Sequence, residues 1–221
     1  DPAPVVQTFF VDDDVKEATR LDGVVTVVDA KHVSLHLDDS TECQEQIAFA
    51  DVILLNKTDL VSPEELQRVE ARIRSMNAAA KIHRTAHAEL PMSAVVDVGA
   101  FDLARALEID PQLLSDTAHE HDQSVGSVGI EVPGSLDRPR LETWLRTLLA
   151  EKGTDIFRMK GVLSVAGEPN ALVFQGVHML LDAAQGKAWN GTPRVSQLVF
   201  IGRNLDRAEL EQGVRACIAQ A

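Results

Sequence analysis

Asp51-Val52-Ile53-Leu54-Leu55-Asn56-Lys57-Thr58-Asp59 is the stretch on which the fold turns. Val52 to Leu55 run aliphatic without alternation and then give way at once to polar residues. An unbroken aliphatic run of this length suits a strand buried on both faces, as in a parallel sheet covered by helices. A second run of the same kind, Val24-Val25-Thr26-Val27-Val28, lies upstream. Between the two, Ala30 to Asp38 and Thr41 to Ala50 read as helix. Downstream, Ser62-Pro63-Glu64-Glu65 combines an N-cap serine, a proline at the first helical position and a glutamate at N3. Leu66, Val69, Ile73 and Met76 then recur at helical spacing, and Lys81 to Thr85 supplies a third strand. The order β-α-β-α-β predicts an α/β unit with a parallel sheet, helices on its faces and right-handed crossovers.

Working outward, residues 108 to 123 break this pattern. The segment from Glu108 to Gln123 is acidic and poor in large apolar residues beyond Leu113 and Leu114, so it reads as a linker. From about residue 124 the period changes. Phe157, Met159, Gly161, Leu163 and Val165 alternate with Ile156, Arg158, Lys160, Val162 and Ser164, the mark of a strand with two unlike faces. Ala171 to Leu181 and Val195 to Ile201 give two more strands. Leu141, Trp144, Leu145, Leu148 and Leu149 share one helix face, as do Leu210, Val214, Cys217 and Ile218. The order β-α-β-β-β-α predicts a small α+β domain with its helices on one face of a largely antiparallel sheet. The expected division is therefore 1–107, a linker over 108–123, and a second domain over 124–221.

The 221 residues include 34 acidic and 21 basic ones, a net charge of −13. Such a chain is repelled by phosphate backbones, which disfavours nucleic acid as a partner. No apolar run approaches the roughly 18 to 20 residues of a membrane helix, so no membrane partner is expected. Cys43 and Cys217 are too few for a disulfide framework or a four-cysteine zinc site, and they point to a reducing, cytoplasmic setting. The chain opens at Asp1 without the basic and apolar regions of a signal peptide. That opening suits a piece of a longer protein.

Asn56-Lys57-Thr58-Asp59 carries the chemistry. An N-K-x-D sequence directly after a parallel strand is the guanine-reading loop of P-loop GTPases. The aspartate carboxylate accepts from guanine N1–H and from its 2-amino group, a donor pair that adenine lacks. The asparagine braces the loop and faces the purine N7 side, and the lysine stem lies over the base. The carboxyl end of a parallel strand is also where such sheets bind ligands. The phosphate loop G-x-x-x-x-G-K-[ST] does not occur in these residues. Gly186-Lys187 is followed by Ala188, and Leu181 stands where the first glycine belongs. Without that loop this chain alone is expected not to hydrolyse GTP.

Gln46-Ile47-Ala48-Phe49-Ala50-Asp51 running into Asn56-Lys57-Thr58-Asp59-Leu60, together with Asp22-Gly23-Val24-Val25-Thr26-Val27-Val28-Asp29-Ala30, resembles the CobW-type GTPases, the zinc and cobalt metallochaperone branch of the P-loop proteins. Phe157-Arg158-Met159-Lys160-Gly161, Phe174-Gln175-Gly176-Val177-His178 and Leu198-Val199-Phe200-Ile201-Gly202-Arg203 are similar to that family's C-terminal domain. The resemblance spans the chain, with separate motifs in the right order. It implies a P-loop GTPase sheet followed by the family's α+β domain. It implies GTP, Mg2+ and Zn2+ as cofactors of the intact protein, and a client metalloprotein as partner. It leaves a homodimer open. Asn56, Lys57 and Asp59 are the implied nucleotide-binding residues. The family's phosphate loop, Cys-x-Cys-Cys metal motif and Glu-x-x-Gly motif are absent here, so the chain is expected to be the C-terminal two-thirds of such a protein, with no catalytic residue of its own.

Weaker constellations remain. His119 and His121, flanked by Glu120 and Asp122, offer imidazole and carboxylate ligands suited to zinc, although an acidic, solvated linker explains them as well. His32 and His36 are spaced i, i+4 on the expected helix and so share a face. His83 and His87 flank a strand end and receive no role. Arg158 and Lys160 point to one side of a strand, as either a solvated face or a surface for an anionic partner. The function implied is GTP-dependent delivery of a metal, zinc foremost, to a client protein. The alternative is a non-catalytic binding module acting through the C-terminal domain. A phosphate loop encoded upstream of Asp1 would decide for the first.

Overall fold

The computed structural model describes residues 2–101, 125–178 and 180–219. The expected linker over 108–123 lies outside them. Two short helices open the chain, α1 (Ala3–Val11) and α2 (Asp13–Ala18), and the Asp12 carboxylate caps the second by accepting from Val15 N–H at 3.0 Å. The first sheet then forms from β1 (Val25–Asp29), β2 (Val52–Asn56) and β3 (Lys81–Arg84), in the order β1-β2-β3 and parallel throughout. The crossovers carry α3 (Thr41–Phe49) and α4 (Pro63–Met76).

The start of α4 is the capping box read from Ser62 and Glu65. Ser62 Oγ accepts from Glu65 N–H at 3.2 Å, and Glu65 Oε2 accepts from Ser62 N–H at 3.0 Å. Val69, Ile73 and Met76 of this helix are buried. Val52 to Leu55 of β2 are buried on both faces, as their sequence requires. β1 behaves differently. It is the edge strand of the described sheet, and Val25 and Val27 are 40% and 60% exposed while Val28 is buried.

The expected helix over Ala30 to Asp38 is a wound turn with three residues of 3-10 helix, Val33–Leu35. Leu35 N–H bonds His32 O and His36 N–H bonds Val33 O, three residues apart instead of four. Histidine, valine, serine and aspartate are weak helix formers, and they dominate this segment. His32 and His36 therefore do not share an α-helical face.

The second sheet comprises β4 (Gly126–Pro133), β5 (Ile156–Leu163), β6 (Asn170–Val177), β7 (Leu180–Ala188) and β8 (Val195–Gly202), with α5 (Arg138–Lys152) after β4 and α6 (Arg207–Ala216) after β8. Its order is β4-β8-β5-β6-β7 and every neighbouring pair is antiparallel. The α+β class holds, with one strand more than the expected β-α-β-β-β-α. The run Ala171 to Leu181 is folded back near His178, whose φ of 51° lies in the left-handed region, and β7 continues after it as a mostly exposed edge strand. Leu141, Leu145 and Leu148 of α5 and Leu210 and Val214 of α6 pack on Ile130, Met159, Leu198 and Phe200.

Part of the opposite face of this sheet is covered by the first unit. A bulge between Ile156 and Arg158 turns Phe157 out of the expected alternation, so that it joins Val177, Val199 and Ile201 against Ile47 and Phe49 of the first unit. The Phe49, Phe157 and His178 rings meet there with centroids 5.4 to 6.0 Å apart. Arg158 and Lys160, expected as a solvated face or an anionic partner's surface, also turn inward. The Arg158 guanidinium bonds the Asp51 carboxylate and donates to Phe49 O at 2.7 Å. Lys160 Nζ donates to Asp51 Oδ1 at 3.0 Å and to Ala100 O at 3.1 Å, and Val24 N–H reaches Asp51 Oδ2 at 2.9 Å. Burial works to raise the Asp51 carboxyl, but the two cations outweigh it and hold it below its ordinary 3.8. Burial, with the charge of Arg158 beside it, lowers the Lys160 ammonium to about 8, against the pull of Asp51.

Removing one partner of a buried ion pair leaves the other uncompensated, at about 3 kcal/mol. Arg158→Met leaves the buried Asp51 carboxylate with Lys160 as its remaining cation, so the expected loss in urea unfolding at neutral pH is smaller, about 2 kcal/mol. Asp51 has a depressed folded pKa, so its contribution is present above the unfolded value and lost as pH falls through the folded one. The gap between wild type and Arg158→Met should accordingly narrow below about pH 4. A gap that stays constant into acid would show that Asp51 does not supply it.

Candidate functional site

The residues Asn56, Lys57 and Asp59 follow β2 without a break, at the carboxyl end of the parallel sheet. Lys57 takes a left-handed conformation, φ 62° and ψ 33°, and Thr58–Leu60 then form one turn of 3-10 helix. A non-glycine residue there costs about 1 kcal/mol, so the surroundings must hold it. They do so from both neighbouring strands.

On the β3 side, Asn56 Oδ1 accepts from Thr85 Oγ1 at 3.1 Å and from Ala88 N–H at 2.9 Å. Thr58 answers with two bonds to Thr85 O, from its N–H at 3.2 Å and its Oγ1 at 3.0 Å. The asparagine thus braces a second loop, residues 85 to 88, in which His87 and Ala88 both have positive φ, 54° and 56°. On the β1 side, Asp29 is the register partner of Asn56 across the ladder. Its carboxylate accepts from Lys57 Nζ at 2.7 Å and from His32 Nδ1 at 3.0 Å, besides Lys31 N–H at 2.9 Å and His32 N–H at 3.1 Å. The bond from His32, followed by that from Lys57, holds the Asp29 carboxyl far below the usual carboxylate range.

Asp59 is exposed, and among the described residues nothing bonds its carboxylate. The site therefore presents one solvent-facing carboxylate, without a protein partner among the described residues, on a loop braced from two sides. Chemically it can receive two adjacent N–H donors, with the Lys57 stem beside them.

Asn56, Lys57 and Asp59 are brought together as their sequence spacing requires. Asp29, Thr85 and Ala88 are additions that the motif alone does not contain. One signal points to Asp29: both β1 and β2 end where aliphatic residues change to a polar one, and parallel strands align such ends. The other histidines converge on nothing comparable. His83 lies in β3, His87 in the turn after it, and His32 is bound to Asp29. His119 and His121 lie outside the described residues. Among those described, no group of three or more His, Cys, Asp or Glu side chains is placed to hold a metal ion. No helix among them is long and apolar enough to cross a membrane.

Comparison with known proteins bears on the whole chain. Residues 1–84 match the model of the CobW/HypB/UreG nucleotide-binding domain, and residues 125–218 match that of the cobalamin synthesis protein cobW C-terminal domain. The zinc chaperone YjiA of Escherichia coli is 31% identical over 211 residues, which cover 95% of this chain and 65% of that protein. The zinc-regulated GTPase metalloprotein activator 1 of Saccharomyces cerevisiae is 27% identical over 256 residues, with 97% of this chain and 59% of that protein covered. The crystal structure of the Zn(II)-bound YjiA GTPase from E. coli superposes with a TM-score of 0.84 at 28% identity, over 99% of this chain and 68% of that one. The chain thus spans roughly three-fifths to two-thirds of the length of these relatives.

The brace between the two loops has a direct test. In Asn56→Ala, Thr85 Oγ1 and Ala88 N–H lose their acceptor, and each such bond is worth about 1 kcal/mol net. The amide of Ala88 is expected to exchange with solvent about tenfold faster than in wild type, with the amides of β2 unaffected. Unchanged exchange at Ala88 would mean that the second loop holds itself.

Proposed function

The chain belongs to the CobW/HypB/UreG family, and on that premise we propose that it is the base-reading and C-terminal portion of a GTP-dependent zinc chaperone. The observation that carries the proposal is the exposed, unbonded carboxylate of Asp59 on its braced loop. Guanine offers N1–H and a 2-amino group side by side, and a carboxylate accepts from both. Asn56 and Lys57 flank it, the first tied to the loop of Thr85 and the second to Asp29. Adenine would leave the carboxylate unpaired, at about 1 to 3 kcal/mol for each polar group stranded.

The remainder of the reaction lies with residues not in this chain. The phosphate cradle and the Mg2+ that accompanies it require a glycine-rich loop with its lysine and hydroxyl. The 221 residues contain no such loop, and no described cluster fits a metal ion, so no catalytic step is assigned to them. Zinc enters as cargo. YjiA is a zinc chaperone, and the yeast relative is a zinc-regulated metalloprotein activator. GTP hydrolysis in the intact protein would drive release of zinc to a client metalloprotein in the reducing cytoplasm. The division into a partial nucleotide domain over 1–107, a linker over 108–123 and a C-terminal domain over 124–221 suits this use. Within the linker, His119 and His121 are proposed as a weak auxiliary zinc site.

Two measurements test this reading. The first is GTP and XTP hydrolysis by the intact protein. Asp59→Asn presents one donor and one acceptor, which fits xanthine, where a carbonyl replaces the 2-amino group, and misfits guanine. The variant should prefer XTP by roughly 10- to 100-fold. The 221 residues alone should turn over neither nucleotide above background. A folded Asp59→Asn protein that still prefers GTP would reduce Asn56 to Asp59 to a turn and favour the alternative of a non-catalytic binding module. The second is zinc titration of the 221 residues alone: binding should be weak and vanish in His119→Ala/His121→Ala. A tight stoichiometric site surviving both changes would place the ligands elsewhere.

A further inference from the structure

We propose that Asp29 is a positioning residue for nucleotide binding, which sets the Lys57 side chain over the base without itself touching the ligand; this rests on the guanine-site reading. Asp29 ends β1, directly opposite Asn56 at the end of β2, with Ala30 N–H bonded to Asn56 O at 2.9 Å. Its carboxylate is thereby fixed by the ladder at the mouth of the loop. Lys57 must hold a left-handed backbone, from which its long side chain has many rotamers to choose. The 2.7 Å bond from Nζ to Asp29 Oδ2 selects one of them before any ligand arrives. A lysine already held in place loses less freedom when a base stacks along its stem, and binding is strengthened by that difference.

The other bonds of Asp29 keep it in station. Lys31 and His32 donate their backbone N–H groups to Oδ1, and the His32 ring donates from Nδ1 to Oδ2. One oxygen thus shapes the turn after β1, and the other is shared by a histidine and the lysine of the site. The division makes a selective variant available. In Asp29→Asn the side-chain carbonyl still accepts from the backbone of the turn, the new amide can donate to His32 Nδ1 in the ring's other tautomer, and the neutral group no longer holds the ammonium of Lys57.

The experiment is a double-mutant cycle on GDP affinity in the full-length protein, followed by titration of a fluorescent GDP analogue. Asp29→Asn should weaken GDP roughly three- to tenfold, a range set by the partial exposure of the pair. Asp29→Glu should recover part of that loss. In a Lys57→Ala background, Asp29→Asn should cause no further loss. The preference for guanine over hypoxanthine nucleotides should be unchanged, because Asp59 is untouched. An equal loss with and without Lys57, or no loss at all, would overturn the role of Asp29. Failure of the underlying reading looks different: wild type itself would then show no preference between guanine and adenine nucleotides.

Discussion

A carboxylate with almost no solvent exposure stands at the first turn of the chain into its central strand. Asp51 is paired with Arg158 and Lys160 of the second sheet, and both sheets depend on that pairing. A charge removed from water must be compensated by partners at fixed distances. The compensation here comes from residues more than a hundred positions away in sequence. The requirement fixes how the antiparallel sheet sits against the parallel one. Neighbouring contacts then follow its geometry: Arg203 reaches Glu45 and lies over the Phe157 ring, Gln175 donates to Phe101 O, and Ser127 bonds Met76 O. Asn77 adds a neutral polar knot within the first unit. Its amide donates to the carbonyls of Ile47, Ala48 and Ala50, just ahead of β2.

The same strand links this seam to the candidate site. β2 begins beside Asp51 and ends in Asn56, a span of five residues buried over most of its length. It is held at one end by the cations of the second sheet and at the other by Asp29, Thr85 and Ala88. On the proposed reading the loop presents one carboxylate to a flat base, and that use needs such a support, because an error of an ångström in a hydrogen-bonding site forfeits most of its selectivity. The left-handed Lys57 and the two positive-φ residues at 87 and 88 show where the backbone departs from relaxed geometry to build that presentation.

Much of this was legible from sequence because it is local. The capping box of Ser62 and Glu65, the buried run of β2 and the N-K-x-D tetrapeptide depend on residues a few positions apart. What escaped was non-local. Arg158 and Lys160 read as a solvated face or an anionic partner's surface, since nothing in a strand's alternation reveals that a second unit covers them. The bulge that turns Phe157 inward leaves no periodic trace. β7 is a polar edge strand whose few apolar residues merge with the run before it, so the fold-back near His178 passed as continuous strand. The segment from Ala30 to Asp38 carried helical spacing in weak helix formers, and Asp29 was visible only as part of a motif, not as the anchor of Lys57.

The central claim is that Asp59 reads guanine from a loop already in place. A crystal structure of the intact protein with GDP addresses it directly. The account predicts both Asp59 carboxylate oxygens within hydrogen-bonding distance of guanine N1 and N2, the stem of Lys57 along the base, and its ammonium still on Asp29. A nucleotide bound with its base away from residues 56 to 59, and Asp59 still facing solvent, would contradict it.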